Sequence, residues 1–189
     1  MFINGGSGGC GTFGIQIAKA LGCFVTTTCS TGKIDLLKNL GADEVIDYTT
    51  TNVINTMRSK GPSYALAIDN VGAPAPDKEN DIYKAADDYL LPSGKFIQVG
   101  GPMSMASAKT LGSRIFTPSF MGGGKSKLVV FMLDGTKTED LDTMARWVVE
   151  GKVKPYIEEV FGFEDLVEAF VRMKTGRSAG KLVVRVAKE

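Results

Sequence analysis

The strand, glycine turn and helix in the first thirty residues constrain the fold of this chain more than any other stretch. An apolar segment at residues 2–3 runs into a glycine-rich turn at residues 4–11, and a helical pattern of apolar side chains begins at Phe13. A second apolar strand follows at residues 24–28. This order of elements is typical of dinucleotide-binding units, in which backbone N–H groups at the start of a helix bind the pyrophosphate.

Three glycines of this turn, Gly6, Gly8 and Gly11, have the spacing Gly-x-Gly-x-x-Gly. In that pattern the first glycine permits a tight turn, the second lets the backbone approach the phosphates, and the third allows the helix to pack closely on the strand. We therefore expect the N–H groups of Gly9, Cys10 and Gly11 to point at a bound pyrophosphate.

Strands and helices continue to alternate after this unit, which predicts an α/β fold with a doubly wound, parallel, six-stranded sheet. Ligands of such sheets bind at the carboxyl ends of the strands. Predicted strands span residues 44–47, 64–68, 95–99 and 128–132, and predicted helices span residues 34–40, 51–58, 81–89 and 138–150. A turn is predicted at residues 91–94, and a final strand, helix and strand at residues 156–161, 163–174 and 181–186. The apolar face of the helix at residues 138–150 is predicted to be buried through Leu141, Met144, Trp147 and Val148.

Composition and charge exclude several classes of function. The 189 residues include 22 basic and 21 acidic side chains, a net charge of +1, without the basic stripe of a nucleic-acid-binding protein. No stretch of about 20 apolar residues is present to form a membrane-spanning helix. The chain has no histidine, the commonest metal ligand and general base, so we expect a mechanism that does not depend on zinc.

The cysteines indicate a reducing compartment. The chain has three, Cys10, Cys23 and Cys29, and neither their odd number nor their spacing fits a disulfide framework or a structural zinc site. We therefore predict a cytoplasmic location, because disulfides are rare where thiols are kept reduced.

The residues after the second strand decide which nicotinamide dinucleotide the turn would bind. An acidic residue at this place hydrogen-bonds the ribose 2′-hydroxyl of NAD and repels the 2′-phosphate of NADP. This chain has Ser30, Thr31 and Lys33 there and no carboxylate, which favours NADP(H). An alternative role for Ser30 or Thr31 is to cap the following helix, and the two roles are compatible.

Five segments of the chain together resemble a known family. They read GSGGCG at residues 6–11, LGADEVIDY at 40–48, DNVG at 69–72, GKFIQVG at 94–100 and GKLVV at 180–184. In this order they are similar to the zinc-independent, zeta-crystallin-like quinone oxidoreductase branch of the medium-chain dehydrogenase/reductase superfamily. The resemblance covers essentially the whole chain.

The resemblance implies NADPH as the cofactor and a set of residues that contact it. Those expected at the pyrophosphate and the adenosine 2′-phosphate are Gly6, Gly8, Gly9, Cys10, Gly11, Ser30, Thr31 and Tyr48. Those expected at the adenosine and the nicotinamide are Asn70, Val71, Val99 and Gly100. Lys33 is also assigned to the phosphate site, although many relatives have the phosphate-binding lysine one residue later, where this chain has Ile34.

The resemblance also implies a division of the chain at residue 150. Residues 1–150 correspond to the NADP(H)-binding Rossmann domain, and residues 151–189 to the β-α-β part that returns to the catalytic domain. In the family a GroES-like catalytic domain precedes the nucleotide-binding domain, and we expect this chain to lack it. No residue is therefore assigned as a general acid. Relatives commonly dimerise by pairing the last strand of the nucleotide-binding domain, so we expect a homodimer through the strand from Leu128 to Leu133.

The expected function follows from this resemblance. Complete members of the family transfer hydride from NADPH to a quinone or an α,β-unsaturated carbonyl, with the cofactor supplying the chemistry and the protein the orientation. We expect this chain to be the NADPH-binding part of such an oxidoreductase, and its turnover alone is left open. Two alternatives remain: a noncatalytic NADPH-binding module or truncated product, and a methyltransferase with its own glycine turn. The methyltransferase requires an acidic residue at the end of the second strand, which the sequence lacks.

Overall fold

The computed structural model describes residues 1–72, 81–99, 112, 127–130 and 137–187. Its strands are β1 Phe2–Asn4, β2 Thr26–Cys29, β3 Glu44–Asp47, β4 Tyr64–Asp69, β5 Leu90–Gln98, β6 Lys127–Val130, β7 Ile157–Gly162 and β8 Lys181–Arg185. Its helices are α1 Gly11–Ala20, α2 Ile34–Asn39, α3 Val53–Ser59, α4 Ala86–Tyr89, α5 Thr138–Val149 and α6 Leu166–Lys174, and a 3₁₀ turn at Thr31–Lys33 precedes α2.

Strands β1 to β6 form one parallel sheet in the order β3-β2-β1-β4-β5-β6. This is the doubly wound order, in which the chain builds one half of the sheet outward from β1 and then builds the other half. The α/β fold with a six-stranded parallel sheet that the sequence predicts is confirmed. The strand order reverses between β1 and β4, so a ligand is expected at the carboxyl ends of these two strands.

Alternating side chains along β1 contribute to the core on both faces of the sheet. Phe2 points to one face, where its ring packs edge-to-face on Tyr64 and Tyr89, with ring centroids 6.1 and 5.9 Å apart. Ile3 points to the other face and joins a cluster that includes Ile15 of α1. All five side chains are buried, so the sheet is covered on both faces, as parallel sheets require.

The helix predicted at residues 81–89 is wrong for its first half, because α4 begins only at Ala86. The carboxylate of Asp81 accepts hydrogen bonds from the N–H groups of Tyr83 and Lys84. These side-chain-to-backbone bonds stabilise a turn in place of the first helical residues.

The turn predicted at residues 91–94 is also wrong, because these residues lie within β5. Tyr64 of β4 pairs with Leu90, whereas Leu66 pairs with Lys95. The part of β5 between these pairs is longer than its partner, so it bulges outward while the strand continues. The proline and the glycine of this segment therefore mark a bulge and not a reversal of the chain.

The predicted C-terminal β-α-β unit is present: β7 and β8 pair in parallel, with α6 between them in sequence. This two-stranded sheet is separate from the six-stranded one. Large apolar side chains of the unit are exposed, among them Val160, Val167 and Phe170. The division of the chain into domains at residue 150 stays a prediction.

The prediction that one face of α5 is buried is wrong. The helix has no buried residue, since Leu141 and Val148 are exposed and Met144 and Trp147 are half-buried. An amphipathic face is buried only where another element packs on it. Within the described ranges no helix or strand packs closely along α5.

Among the helices of the described ranges, none is both long and apolar enough to cross a membrane.

Candidate functional site

A cavity of about 1110 Å³ opens at the carboxyl ends of β1, β2 and β4, where the strand order reverses. The predicted cofactor residues that line it are Gly8, Gly9, Cys10, Gly11, Ser30, Lys33, Tyr48, Asn70 and Val71. Gly6, Thr31 and Val99 do not line it, and Gly100 lies outside the described residues. The structure therefore brings most of the predicted residues together at the place where this sheet order predicts a ligand.

The turn between β1 and α1 takes its shape from Gly5, and not from Gly6 as the spacing predicts. Gly5 has a φ of +77°, a left-handed conformation that glycine adopts without strain. A Cβ at Gly6 would lie 3.0 Å from Leu37 Cδ1 and against the hydroxyl group of Thr27. The small size of Gly6 thus lets the turn pack on β2, while its neighbour makes the sharp bend.

Gly8 and Gly11 have the environments that their predicted roles require. A Cβ at Gly11 would lie only 2.6 Å from Gly6 Cα, so glycine is needed for the helix to approach the strand. The nearest atom to a Cβ at Gly8 would be Gly5 O, at 3.7 Å, so Gly8 faces the open cavity. Cys10 precedes α1 without a side-chain capping bond, and in the first helical turn the N–H group of Thr12 donates to Gly8 O at 3.0 Å. The predicted ligand donors are therefore the N–H groups before Thr12.

Ser30 and Thr31, which the sequence assigns to a phosphate, have different surroundings. Ser30 lines the cavity and precedes the 3₁₀ turn without a side-chain capping bond, so its alternative role as a cap is wrong. The Thr31 hydroxyl donates to the carboxylate of Asp47 at 2.5 Å. The hydroxyls of Thr31 and Thr49 hold the pKa of Asp47 below its usual range. Thr31 is therefore engaged with a neighbouring strand.

Basic side chains reach the cavity from distant parts of the chain. The Lys33 ammonium donates to the carbonyl oxygens of Arg177, at 2.6 Å, and Ser178, at 3.3 Å. Both of these residues belong to the turn before β8 and line the cavity. Arg177 is exposed, and its guanidinium group is suited to bind a phosphate. The sequence analysis missed Arg177, although it lies just before the GKLVV segment that carries part of the resemblance.

A second cation of the C-terminal region lies against the glycine turn. The ammonium of Lys181 would be 2.9 Å from a Cβ at Gly9, and it lies 5.7 Å from the centroid of the Phe13 ring. The N–H group of Gly180 donates to Ser7 O at 2.9 Å and holds the start of β8 on the turn. Cations therefore stand near the predicted pyrophosphate turn and near the end of β2, which favours a polyanionic ligand.

The remaining predicted residues lie on either side of the cavity boundary. Asn70 and Val71 form part of its wall, and Tyr48 lines it with an exposed ring, whereas Val99 is exposed outside it. The lining residues that the sequence analysis missed are Asn4, Gly5, Ser7, Thr28, Thr49, Thr51, Asn52, Val53, Ile54, Ile82, Gly176, Arg177 and Ser178. Only a few of them carry a positional signal, since Asn4 and Thr28 lie at the carboxyl ends of β1 and β2 and Gly5 directly follows β1.

The sequence profile of the family described as zinc-binding dehydrogenase matches residues 40–184, which is more than half of this chain. The chain belongs to the zinc-binding dehydrogenase family. Its predicted place in the medium-chain dehydrogenase/reductase superfamily, among proteins of quinone oxidoreductase type, is confirmed by this match and by the relatives.

The relatives of this chain include proteins named as reductases and oxidoreductases. The trans-enoyl reductase pgmF of Aspergillus terreus is 43% identical over 190 residues, which cover 98% of this chain and 51% of that protein. The mitochondrial NAD(P)H oxidoreductase RTN4IP1 of Homo sapiens is 33% identical over 193 residues, with coverage of 98% and 48%. The quinone oxidoreductase from Coxiella burnetii superposes with a TM-score of 0.74 at 25% identity, with coverage of 98% and 52%. The chain thus spans about half the length of these relatives.

The zinc that the family description implies does not fit the residues that the structure describes. The chain has no histidine, and in its described part no three side chains that bind metals come together. Burial, and then the charge of Asp47, raise the pKa of the Cys29 thiol to about 11. A thiol held protonated is a poor zinc ligand, because zinc binds the thiolate. The described residues therefore do not form a zinc site.

Proposed function

We propose that this chain is the NADPH-binding part of a zinc-independent oxidoreductase that transfers hydride from NADPH to a quinone or an α,β-unsaturated carbonyl. The observation that carries the proposal is the cavity at the β1–β4 switch point, which joins the glycine turn to the basic residues of the β2 end. The names of two relatives, a trans-enoyl reductase and a quinone oxidoreductase, support the class of acceptor.

The pyrophosphate would bind at the start of α1. The N–H groups of Gly9, Cys10 and Gly11 lie at the positive end of the helix dipole, which favours an anion. The open space at Gly8 leaves room for the phosphates to approach the backbone. The ammonium of Lys181, beside Gly9, adds a full positive charge on the same side.

A 2′-phosphate fits the end of β2 better than a free 2′-hydroxyl does. Ser30 offers a hydroxyl group, and Lys33 and Arg177 bring two positive charges to the same cavity. Asp47 does not line the cavity, and its carboxylate already accepts hydrogen bonds from Thr31. These contacts support NADPH over NADH, because no Asp or Glu of the described residues lines the cavity at this strand end.

When bound, the nicotinamide supplies the hydride, and this chain's residues bind and orient it. Asn70 and Val71 would border the adenosine, and Val99 and Gly100 the nicotinamide end. No residue of the described cavity is assigned the proton transfer to the reduced acceptor.

A homodimer and a cytoplasmic location also stay proposals. β6 is an edge strand of the six-stranded sheet, so a second copy could extend the sheet there through the segment from Leu128 to Leu133, of which residues 131–133 lie outside the described ranges. Light scattering that gives a monomeric mass at micromolar concentration would contradict the dimer. The RTN4IP1 relatives are named as mitochondrial, so the location needs its own measurement in cells.

The test of the cofactor compares Ser30→Asp with Ser63→Asp by titration with NADPH and NADH. Ser63 is an exposed serine outside the cavity, so the control adds the same charge elsewhere. Ser30→Asp should weaken NADPH binding by about 1–3 kcal/mol through lost hydrogen bonds and repulsion of the 2′-phosphate. NADH binding should change less, because NADH has no phosphate there.

Three results would contradict parts of the proposal. No response of the folded parent chain to millimolar NADPH would remove the cofactor assignment altogether. Equal losses of NADPH affinity in Ser30→Asp and Ser63→Asp would contradict the assignment of the 2′-phosphate to the end of β2. Tight NADPH binding without oxidation in the presence of 9,10-phenanthrenequinone would select the noncatalytic binding module in place of the reductase.

A further inference from the structure

A series of hydrogen bonds runs through the cavity wall and joins the ends of three strands of the sheet. The Thr28 hydroxyl, at the end of β2, accepts the N–H group of Gly5 at 2.9 Å and donates to Asn4 Oδ1 at 2.8 Å. The side-chain amide of Asn4, at the end of β1, donates to Asp69 Oδ1 at 2.8 Å. Asn4 therefore joins the end of β2 to the end of β4.

Asp69 continues this series into the turn after β4. Its carboxylate is buried, and the same Oδ1 accepts the N–H groups of Val71 at 3.0 Å and Gly72 at 3.1 Å. A buried carboxylate requires such partners, since its desolvation is costly without them. The turn that contains Asn70 and Val71, a wall of the cavity, is thus shaped by a group that does not itself line the cavity.

The turn after β1 and the turn after β4 also touch directly. A Cβ at Gly5 would lie 2.8 Å from Val71 Cγ2, and the N–H group of Asn70 donates to Asn4 O at 3.2 Å. These contacts fix the distance between the glycine turn and the turn that contains Asn70 and Val71. We call this second turn the adenosine wall, because it would border the adenosine. Asn4 sits at the centre of the contact between the two turns.

We infer that Asn4 is a positioning residue for the cofactor: its amide holds the pyrophosphate turn and the adenosine wall at the separation that one dinucleotide needs. This inference rests on the proposed function. Asparagine suits the position because its side chain accepts from Thr28 and donates to Asp69 at the same time. The orientation of the amide follows from chemistry, since the carboxylate of Asp69 only accepts hydrogen bonds.

The first experiment compares Thr28→Val with a matched control, Thr26→Val. Both threonines are buried in β2, and the hydroxyl of each donates one hydrogen bond and accepts one. The Thr26 hydroxyl donates to Glu44 and accepts from Tyr64, and it does not line the cavity. The two variants should lose similar stability to urea, which separates the positioning role from a general loss of folding.

The expected difference is in NADPH affinity. Thr28→Val should raise the Kd for NADPH at least about tenfold, because the loss of one or two hydrogen bonds corresponds to a change of about that size. Thr26→Val should leave the Kd within about twofold of the parent value. Thr28→Ser keeps the hydroxyl group and should bind NADPH as the parent does. This rescue is not expected if Thr28 acts only through its packing.

A second variant, Asn4→Asp, tests the amide through pH. At pH 8 two carboxylates would face each other without a proton and the turns would separate, so the Kd should rise about tenfold or more over the parent. At pH 5.5 a proton shared by the two carboxyl groups would restore the donor, and the ratio to the parent should fall below about threefold. The parent measured at each pH corrects for the protonation of the 2′-phosphate and for any effect of the other ionisable side chains that line the cavity, Cys10, Lys33, Tyr48 and Arg177.

The outcomes separate this inference from the proposed function. If the folded parent does not bind NADPH, the proposed function fails and the inference falls with it. If the parent binds and Thr28→Val behaves as Thr26→Val does, only the inference is overturned. A ratio for Asn4→Asp that does not change with pH would likewise overturn it, and this variant keeps the test valid if Thr28→Val does not fold.

Discussion

The six-stranded sheet and the C-terminal β7-α6-β8 unit are built from the same pattern, parallel strands joined through a helix. Among the described residues, however, the buried apolar clusters belong to the six-stranded region. Phe96 of β5 is 0% exposed, whereas Phe170 and Val167 of α6 are 51% and 75% exposed. Strand pairing needs only two neighbours, but burial needs a further layer of structure. The comparison shows that a correct β-α-β pattern does not by itself say which face is covered.

The two regions also differ in what connects them. Within the six-stranded region the contacts are apolar clusters on both faces of the sheet. The described contacts between the regions include hydrogen bonds from Gln16 to Lys154, from Gly180 to Ser7 and from Lys33 to Arg177. We expect a connection of this polar kind to open at a lower free energy than the sheet unfolds.

The largest difference should appear in a pair of phenylalanine variants. Phe96→Ala removes a fully buried ring and should lower the free energy of unfolding by about 3–5 kcal/mol. Phe170→Ala removes a half-exposed ring and should cost about 1 kcal/mol or less. Urea unfolding of the two variants beside the parent measures both values. A cost for Phe170→Ala close to that for Phe96→Ala would break the comparison, because it would mean that the α6 face is covered in solution.

A smaller effect should come from Gln16, which lies in α1 and reaches the C-terminal region. Its side chain donates to Lys154 O at 2.9 Å and accepts the Lys154 N–H group at 2.8 Å. Gln16→Leu leaves both backbone groups without these partners and should cost about 1–3 kcal/mol. Hydrogen exchange should show faster exchange at residues 152–185 and little change in β1 to β5. Equal acceleration in both regions would show that they open as one unit.

The smallest effect should be the pH dependence of a surface ion pair in the six-stranded region. A hydrogen bond from Lys19, with one from the Val25 N–H group, holds the pKa of Asp43 below its usual value. A lowered carboxyl pKa stabilises the fold above about pH 4, the unfolded value, and this gain is lost as the pH falls through the folded value. Asp43→Asn should therefore cost about 0.5–1 kcal/mol at pH 7, and this cost should shrink as the pH falls below about 4 and through the lowered folded pKa. A cost that does not change with pH would contradict this electrostatic origin.

The elements that the sequence predicted well are those whose pattern is local. The strand at residues 44–47 has the bounds predicted for it, and the glycines and apolar residues before Ala20 gave the first unit. The exposure of α5 could not be predicted. The helical spacing of its apolar side chains shows that the helix has an apolar face, but not whether another element packs on that face. The bulge in β5 depends on the register with β4, which proline and glycine do not encode.

The candidate site shows the same limit. Ser30 was predicted to lie at the cavity because it follows the second strand, and Asn70 because of the family resemblance; both line it. The engagement of Thr31 by Asp47 and the place of Arg177 depend on contacts between distant segments. No local spacing carries that information. Gly5 was missed for another reason: it precedes the Gly-x-Gly-x-x-Gly spacing, which assigns the tight turn to Gly6, yet Gly5 has the left-handed conformation.

The tether between Lys33 and Arg177 spans 144 positions of the chain. During synthesis, the ribosome would therefore release the turn that contains Lys33 long before it releases the segment at Arg177 that completes the cavity wall. Until Arg177 and Ser178 emerge, a nascent chain would lack part of the cavity wall. Assembly of this pocket should thus be a late folding event, and cleavage by a protease between β7 and Arg177 should disrupt the cavity although Lys33 lies 144 positions earlier.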